Sequence, residues 1–309
     1  MSTLTGNIFI TGGSGTLGKA ILTIAERERW DARFTIYSRS ELTQAKLRAR
    51  FPSAHYVLGD IGDADRLAAA VAGHDVIVHA AAVKRIPEAE QQPANCYQTN
   101  VIGSMNVVLA ALLHNVRLCV GISTDKACAP ITAYGASKLA MEKLFQAQAI
   151  DTTRFVLVRY GNVIASNGSV IPVWRQQAAR GLPLSLTDPM MTRFWMPPSA
   201  AVDLINQASD LPSGSILVPK MSALSIRDMA ECIAPGAPIQ VIGLRSIEKR
   251  HEDLVHAEEP AIPYGERFIR ITPVGGGGDP GHAYTSEHAP RLTSDQFLAM
   301  LAEAEELER

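Results

Sequence analysis

Residues 11–18 (TGGSGTLG) form the glycine-rich segment that most constrains the fold of this chain. The segment follows a short apolar run at 7–11, typical of a buried strand, and precedes a predicted helix at 21–29. Glycines at this junction allow a tight turn and let backbone N–H groups approach a pyrophosphate at the helix N-terminus. A glycine triplet alone is weak evidence for a nucleotide site, because turns often contain glycines. Its place at the first strand-to-helix junction nevertheless predicts a dinucleotide site. The predicted contacts are Gly12, Ser14, Gly15, Thr16, Leu17 and Gly18.

Apolar runs alternate with amphipathic segments over the first half of the chain. Near-continuous Val/Ile runs of this kind predict a parallel sheet covered by helices on both faces, a Rossmann-like doubly wound α/β fold. We expect an NADP-binding domain at 1–168, with a returning segment near 190–218, and a smaller, mainly substrate-binding domain at 169–309. The predicted strands are 33–37, 55–58, 75–79, 116–123 and 155–160, and the predicted helices are 63–72, 93–114 and 134–149.

The end of the second predicted strand indicates which dinucleotide binds. NAD sites usually place an acid there, whereas this chain has Ser38, Arg39 and Ser40, with Lys46 farther on. A guanidinium and hydroxyls suit a 2′-phosphate, so the sequence favours NADP, although Arg39 alone is also compatible with a solvated loop charge. Later strand ends are expected to place Asp60 and Ile61 near the adenine and Ala80, Ala81 and Ala82 along the cofactor.

Tyr134 and Lys138 lie one helical turn apart, so their side chains face the same way. A phenol has an ordinary pKa of about 10, and a nearby cation is needed before it can accept an alcohol proton near neutrality. The pair therefore predicts oxidation of a sugar or alcohol carbon, with Lys138 stabilising the phenolate.

Asp125 and Lys126 directly follow the fifth predicted strand, where α/β sheets present ligands. An Asp-Lys dipeptide is often only a surface ion pair, but here it lies just upstream of Tyr134. Oxidation at C4 of a sugar acidifies the C5 proton, and elimination then needs a base at C5 and an acid at the C6 oxygen. A neutral Lys126 and a protonated Asp125 would supply both, and we expect burial to favour these neutral forms.

Composition excludes several other classes. A formal net charge of −2 over 309 residues gives no electrostatic argument for nucleic acid or an anionic membrane. We expect no signal peptide, no apolar run approaching a membrane span and a cytoplasmic location. The four cysteines show no metal-ligand spacing, so no metal site is predicted and reduced structural thiols are favoured over a redox role.

The chain resembles the inverting UDP-N-acetylglucosamine 4,6-dehydratases of the extended short-chain dehydrogenase/reductase superfamily. Retaining 4,6-dehydratases that act on glucose substrates typically carry Asp-Glu in place of Asp125-Lys126. The matching segments run along nearly the whole chain: 10–18 (ITGGSGTLG), 37–42 (YSRSEL), 59–63 (GDIGD), 79–90 (HAAAVKRIPEAE), 99–107 (TNVIGSMNV), 123–127 (STDKA), 134–138 (YGASK), 158–166 (VRYGNVIAS), 168–172 (GSVIP), 191–195 (MTRFW), 218–220 (VPK) and 248–252 (EKRHE).

The resemblance implies a tightly held, recycled NADP, a UDP-N-acetylhexosamine substrate and assembly into a homo-oligomer. It implies that Tyr134 and Lys138 serve oxidation at C4, that Asp125 is the acid and Lys126 the base, and that Thr124 bonds the C4 oxygen. Proton return to the opposite face of C5 would give the 5-epimerised 4-keto-6-deoxy sugar. Lys84 and Asn100 are expected beside the cofactor. The expected substrate contacts are Lys84, Asn162, Ser169, Val170, Arg193, Arg245 and Glu248.

The chain departs from the family on the substrate side. Asn167 stands where the family usually has arginine, and Ser246-Ile247 replaces Pro-Gly. Another amino sugar or another nucleotide therefore remains open as the substrate. Two alternatives to a dehydratase also stay open: a nucleotide-sugar 4- or 5-epimerase, which has no need for Asp125-Lys126, and a non-catalytic NADP-binding sensor on the same fold.

Overall fold

The structure is a computed structural model that describes residues 4–148, 152–166, 169–273, 281 and 283–308. The strands are β1 Gly6–Thr11, β2 Ala32–Ser38, β3 His55–Leu58, β4 Val76–His79, β5 Leu118–Thr124, β6 Arg154–Tyr160, β7 Asn162–Val163, β8 Leu184–Leu186, β9 Thr192–Met196, β10 Ile216–Pro219, β11 Ala223–Ser225, β12 Ile239–Val241, β13 Asp253–Val255, β14 Ala261–Tyr264, β15 Phe268–Ile271 and β16 Tyr284–Thr285. The α-helices are α1 Thr16–Glu28, α2 Glu41–Arg50, α3 Ala64–Val71, α4 Ile86–Gln91, α5 Pro93–Tyr97, α6 Gly103–Leu113, α7 Ala133–Gln146, α8 Val170–Ala179, α9 Pro198–Ala208, α10 Ile226–Ile233 and α11 Ser294–Glu308.

The main sheet has nine strands in the order β14-β15-β10-β6-β5-β4-β1-β2-β3. The strands from β10 to β3 run parallel, whereas β15 and β14 are antiparallel additions at one edge. Strands β4, β5 and β6 are buried almost throughout, as expected when helices cover both faces. The prediction of a mostly parallel, doubly wound Rossmann-like sheet is confirmed.

Local capping signals explain where the helices begin. The Asp63 carboxylate accepts a hydrogen bond from the N–H of Arg66 at the start of α3, and the Thr132 hydroxyl accepts one from the N–H of Gly135 at the start of α7. The first helix was predicted from residue 21 but begins at Thr16, because the glycine turn leads straight into it.

The predicted helical segment 93–114 is divided into α5, a π-helical turn at Gln98–Ile102 and α6. The expectation that no apolar run approaches a membrane span is wrong, because Pro93–Leu113 is long and apolar enough by length and composition. Of its most apolar window, 56% is buried inside the protein. The segment packs against α3 and α7, which is the position of a core helix.

A second hydrophobic core lies outside the main sheet. It is formed by side chains of α8, β8, α10 and α11, and by Trp195 of β9. Three small sheets, β11-β9-β7, β12-β8 and β13-β16, lie outside the main sheet; β8 contributes to the second core, whereas β13 packs into the first. The chain also returns to the first lobe, since α9 packs against α1 and β10 joins the main sheet. A cleft is left between the strand ends of the main sheet and the second lobe.

Candidate active site

A cavity of about 900 Å³ lies at the carboxyl ends of the parallel strands, which is where α/β sheets bind ligands. Both lobes contribute to it: the glycine turn, the ends of β4 and β5, and α7 on one side, and β7, α8, β9 and residues 245–248 on the other. The predicted site residues that line it are Gly12, Gly15, Thr16, Leu17, Ala80, Ala81, Ala82, Lys84, Thr124, Lys126, Tyr134, Lys138, Asn162, Ser169, Val170, Arg193, Arg245 and Glu248.

The glycine turn fits a dinucleotide pyrophosphate. Gly12 has a φ of +65°, and a Cβ there would lie 2.8 Å from the backbone of Ala81, so the position requires glycine. Gly15 is the N-cap of α1 and offers no side-chain cap, which leaves the first turn accessible to an anion from the cavity. Gly18 instead serves packing, because a Cβ there would overlap the carbonyl of Gly13.

Residues at the ends of β2 and β3 lie beyond the cavity lining. Arg39 Nη1 is 3.5 Å from Asp60 Oδ2, with both side chains about half exposed. The two serines make hydrogen bonds of their own: Ser38 Oγ accepts from Gln44, and Ser40 Oγ caps α2. Three other predicted cofactor contacts lie apart from the cavity: Ser14 Oγ accepts from Thr43, Lys46 is exposed on α2, and Ile61 is buried.

Asn100 is almost completely buried and supports the cleft wall. Its amide nitrogen donates to the carbonyl of Val83 and to Ser137 Oγ, both at 2.9 Å, and its amide oxygen accepts from the N–H of Val83 at 2.7 Å. The side chain thereby joins the loop after β4 to α7, and its polar groups are already used within the protein.

Tyr134 and Lys138 both face the cavity from α7, but their partners differ from those expected. Lys138 Nζ donates to the carbonyl of Ile122 at 2.5 Å, and burial lowers its pKa to about 8. Burial raises the pKa of Tyr134 to about 12, and the cation that opposes this rise is Lys126. Lys126 thus offsets part of the effect of burial, but the phenol stays harder to ionise than an ordinary tyrosine in the protein alone.

Asp125 and Lys126 form a short 3₁₀ turn directly after β5. Lys126 Nζ is 2.9 Å from Asp125 Oδ1, which also accepts a hydrogen bond of 2.7 Å from Thr124 Oγ1. Asp125 is fully buried, and its Oδ2 has no hydrogen-bond partner within the described residues. An uncompensated carboxylate oxygen of this kind is costly and suits a group that exchanges protons. Asp125 itself does not line the cavity, whose wall at this point is formed by Thr124 and Lys126.

The expectation that burial favours the neutral form of Lys126 is wrong for the protein alone. Burial lowers the pKa of Lys126, but the carboxylates of Asp125 and Glu252 outweigh burial and raise the pKa above its ordinary value. The charged form of Lys126 is therefore favoured in the protein alone, and the lysine must lose a proton before it can act as a base.

Glu252 is a site residue that sequence reasoning missed. Its side chain is 6% exposed, and Oε1 lies 3.7 Å from both Lys126 Nζ and Arg193 Nε. Burial raises the pKa of Glu252. The only signal in the sequence was its place at the end of the EKRHE motif (248–252), because no spacing rule predicts contact with residue 126.

The predicted substrate cations occupy different kinds of position. Arg193 fixes the loop before β13, since its guanidinium donates to the carbonyls of Thr192, Lys249 and Arg250. Arg245 is exposed at the cavity mouth and pairs with Glu248 at 2.6 Å.

Other predicted substrate contacts line the cavity with polar atoms. Burial and the neighbouring Arg85 lower the pKa of Lys84, so its charged form is disfavoured until an anion binds beside it. Asn162 donates to the carbonyl of Phe194, and Ser169 Oγ is a buried hydroxyl with no partner among the described residues.

Of the two departures from the family, one can be described. The Ser246-Ile247 segment still forms a turn, in which the N–H of Glu248 donates to the carbonyl of Arg245 at 3.0 Å. Ile247 lines the cavity, where it adds an apolar side chain. Asn167 lies outside the described residues.

A buried ion cluster anchors α7. The Arg159 guanidinium, fully buried, binds Glu142 of α7 through two hydrogen bonds and Glu259 through two more. Glu142 also accepts from Ser123 Oγ at 2.6 Å. The cluster thereby connects α7, the end of β5 and the segment that follows β13.

Comparisons with known proteins agree with this geometry. The family described as polysaccharide biosynthesis protein matches residues 8–270. A Campylobacter jejuni relative named UDP-N-acetylglucosamine 4,6-dehydratase (inverting) is 38% identical over 86% of this chain and 83% of its own. A Rickettsia bellii relative named UDP-glucose 4-epimerase is 37% identical over 95% and 94%. The X-ray structure of Pen from Bacillus thuringiensis has a TM-score of 0.88 and 30% identity over 98% and 99%.

Proposed function

Because the chain belongs to the polysaccharide biosynthesis protein family, we propose that it is a nucleotide-sugar 4,6-dehydratase. The proposed substrate is UDP-N-acetylglucosamine or a related UDP-N-acetylhexosamine, and the product is the 4-keto-6-deoxy sugar with inversion at C5. The observation that carries the proposal is the buried Asp125–Lys126 pair: Lys126 lines the same cavity as Tyr134, and Asp125 lies directly behind it at 2.9 Å. An acid and a base beyond the oxidising tyrosine are what water elimination requires.

The proposed cofactor is NADP, held in the cleft and recycled. The turn at Gly12 and Gly15 supports a dinucleotide, and Arg39 at the end of β2 supports the 2′-phosphate. Asp60, 3.5 Å from Arg39, is an acid that could instead bond ribose hydroxyls, so cofactor preference depends on this pair. When bound, the nicotinamide would take a hydride from C4 and return it to C6.

The chain's own residues would move the protons. Tyr134 would accept the proton of the C4 hydroxyl, with Thr124 bonding the same oxygen and Lys138 helping to stabilise the phenolate. Lys126, after passing its proton to Asp125, would remove the C5 proton. Asp125 would then protonate the C6 oxygen as water leaves. The Asp125–Lys126 pair ends in its original charged state. After hydride return to C6, C5 would take a proton from solvent while Tyr134 releases the C4 hydroxyl proton to solvent, so no net proton is consumed.

An epimerase is the second candidate, because relatives of comparable identity carry that name. An epimerase would use Tyr134 and Lys138 but would leave the Asp125–Lys126 pair without a role. A sensor without turnover would need neither pair. Among these three functions, only a dehydratase requires the buried acid next to the lysine.

Mass spectrometry of the sugar nucleotide after incubation with the purified protein separates these functions. A dehydratase gives a product lighter by one water, an epimerase leaves the mass unchanged while altering the sugar's chromatographic behaviour, and a sensor leaves the substrate intact. Tyr134→Phe is the control that should stop either reaction. An isomer of unchanged mass as the sole product would contradict the dehydratase proposal.

A homo-oligomer is also proposed. Ile102, Met105, Leu109 and Leu113 are 38% to 66% exposed and lie on one face of the helical segment that ends in α6. An apolar stripe of this kind suits contact with a second copy. Light scattering should give a mass above that of one chain, and Leu109→Arg should reduce it.

Cytoplasmic location, and the absence of membrane or nucleic-acid partners, stay predictions.

A further inference from the structure

We propose that Glu252 is a positioning residue for the Asp125–Lys126 pair, holding the Lys126 amine at the cavity and strengthening it as a base. The catalytic part of this inference rests on the proposed dehydratase function. The electrostatic part concerns the protein alone and is measurable without substrate.

The backbone around Glu252 is held on both sides. Its N–H donates to Ser286 Oγ at 2.9 Å, and its carbonyl accepts from the N–H of Ser286 at 2.8 Å. The same stretch is tied to the catalytic turn, because Lys249 Nζ donates to the carbonyl of Cys128 at 2.9 Å. The Glu252 carboxylate is therefore presented to Lys126 by fixed backbone.

The contacts place Lys126 between two carboxylates. Asp125 Oδ1 is 2.9 Å from Nζ, and Glu252 Oε1 is 3.7 Å from it on the side of Arg193. Lys249 also acts electrostatically on Glu252, but its Nζ is paired with Asp253 Oδ2 at 3.2 Å. In this set Glu252 is the acid that contacts both Lys126 and Arg193, and its charge is buried where screening is weak.

Glu252 changes the basicity of Lys126 without itself donating or accepting the transferred proton. In the reactive state, one N–H bond of Lys126 has broken and an O–H bond has formed on Asp125. When Lys126 takes the C5 proton, a new N–H bond forms and positive charge returns to the nitrogen. The negative charge of Glu252 stabilises that ammonium, so it makes Lys126 a stronger base in the step that removes the C5 proton.

The direct test measures how readily Lys126 is acylated. A small amine-reactive anhydride is applied across a pH series, and modification of the Lys126 peptide is followed by mass spectrometry. Glu252→Gln removes one of two neighbouring negative charges, so Lys126 loses its proton more easily and is labelled about tenfold faster at a given pH. Glu258→Gln is the matched control, with the same charge change at an exposed residue, and should leave the curve unchanged.

Glu252→Asp provides a second variant should Glu252→Gln not fold. It keeps the charge but shortens the side chain by one carbon, so labelling should rise only about threefold. A Lys126 labelling curve that matches the wild type in the variant that folds would overturn the proposal. This outcome does not depend on whether the protein dehydrates any sugar.

The catalytic arm uses UDP-N-acetylglucosamine and follows each step. Glu252→Gln should lower kcat roughly tenfold to hundredfold with KM within about threefold, because it weakens general-base catalysis rather than binding. Formation of reduced nicotinamide should persist while deuterium uptake at C5 slows. An equal loss of both steps would indicate a merely structural residue. A wild-type protein without turnover would instead contradict the proposed function, with the labelling result still deciding the role of Glu252.

Discussion

Lys126 Nζ lies 2.9 Å from Asp125 Oδ1, while the other oxygen of the same carboxylate is buried without a partner among the described residues. One oxygen of the acid is thus paired with its neighbour, while the other is buried behind Lys126 with its hydrogen-bonding capacity unused. A proton can pass between the two groups without a change in the net charge of the pair. This relationship converts an ordinary ion pair into a candidate acid and base for elimination.

Lys126→Ala should leave cofactor binding intact and slow water loss about 10²- to 10⁴-fold, the usual contribution of a general base. The rate is measured as 4-keto-6-deoxy product per protein, and the cofactor is quantified after the protein is denatured. Dehydration at the wild-type rate by this variant would remove Lys126 from the mechanism.

Arg39→Asp should shift cofactor preference from NADP towards NAD. The change removes the guanidinium that would bind a 2′-phosphate and leaves a carboxylate beside Asp60 that repels one. Binding of both dinucleotides to cofactor-stripped protein is measured by calorimetry. An unchanged ratio of the two dissociation constants would show that Arg39 is only a solvated charge.

His79 should make the protein less stable in acid. It is fully buried and bonded to Thr11 Oγ1 and Ser104 Oγ, and burial lowers its pKa to about 3. Its unfolded pKa is about 6.5, so its stabilising effect is complete above that pH and is lost as pH falls towards 3. By pH 4.5 this loss is roughly 2–3 kcal/mol.

The measurement is urea unfolding at pH 7 and pH 4.5 for the wild type, His79→Gln and His55→Gln. His79→Gln should lose less free energy of unfolding between pH 7 and pH 4.5 than the wild type does. His55→Gln, at an exposed position, should lose as much as the wild type. Equal acid losses in the wild type and His79→Gln would show that His79 is not the titrating group.

Arg159→Met should lower the free energy of unfolding by about 3–5 kcal/mol, because it leaves the buried Glu142 and the partly buried Glu259 without their cation. Arg267→Met is the control: Arg267 forms an exposed pair with Asp203 at 3.8 Å, and its loss should cost less than about 1 kcal/mol. Similar costs for both variants would mean that the buried cluster does not hold α7 in place.

The main sheet and most of the site were predictable from local patterns. Val/Ile runs gave the positions of strands β2 to β6, and the sheet's topology brought Gly12, Ala81, Lys126 and Tyr134 to one edge. These residues lie in turns and helix starts whose position follows from the strands alone.

Features that depend on the second lobe were not predictable. Contact between Lys126 and Glu252 spans 126 positions of sequence and depends on small sheets that have no strong pattern. Arg193 looked like a phosphate ligand by charge, but its hydrogen bonds go to backbone carbonyls of residues 192, 249 and 250. The charge of a side chain indicates which kind of group it attracts. Long-range packing decides which group it contacts in the folded protein.

The most direct measurement is proton NMR of the purified protein with UDP-N-acetylglucosamine in D₂O, without added cofactor. The account predicts a new C6 methyl signal with deuterium at C5, produced by a bound and recycled dinucleotide, and couplings at C5 that report inversion. An unchanged spectrum, with the dinucleotide confirmed in the protein, would contradict this substrate assignment. A 4-epimer formed without a methyl signal would contradict the dehydratase itself.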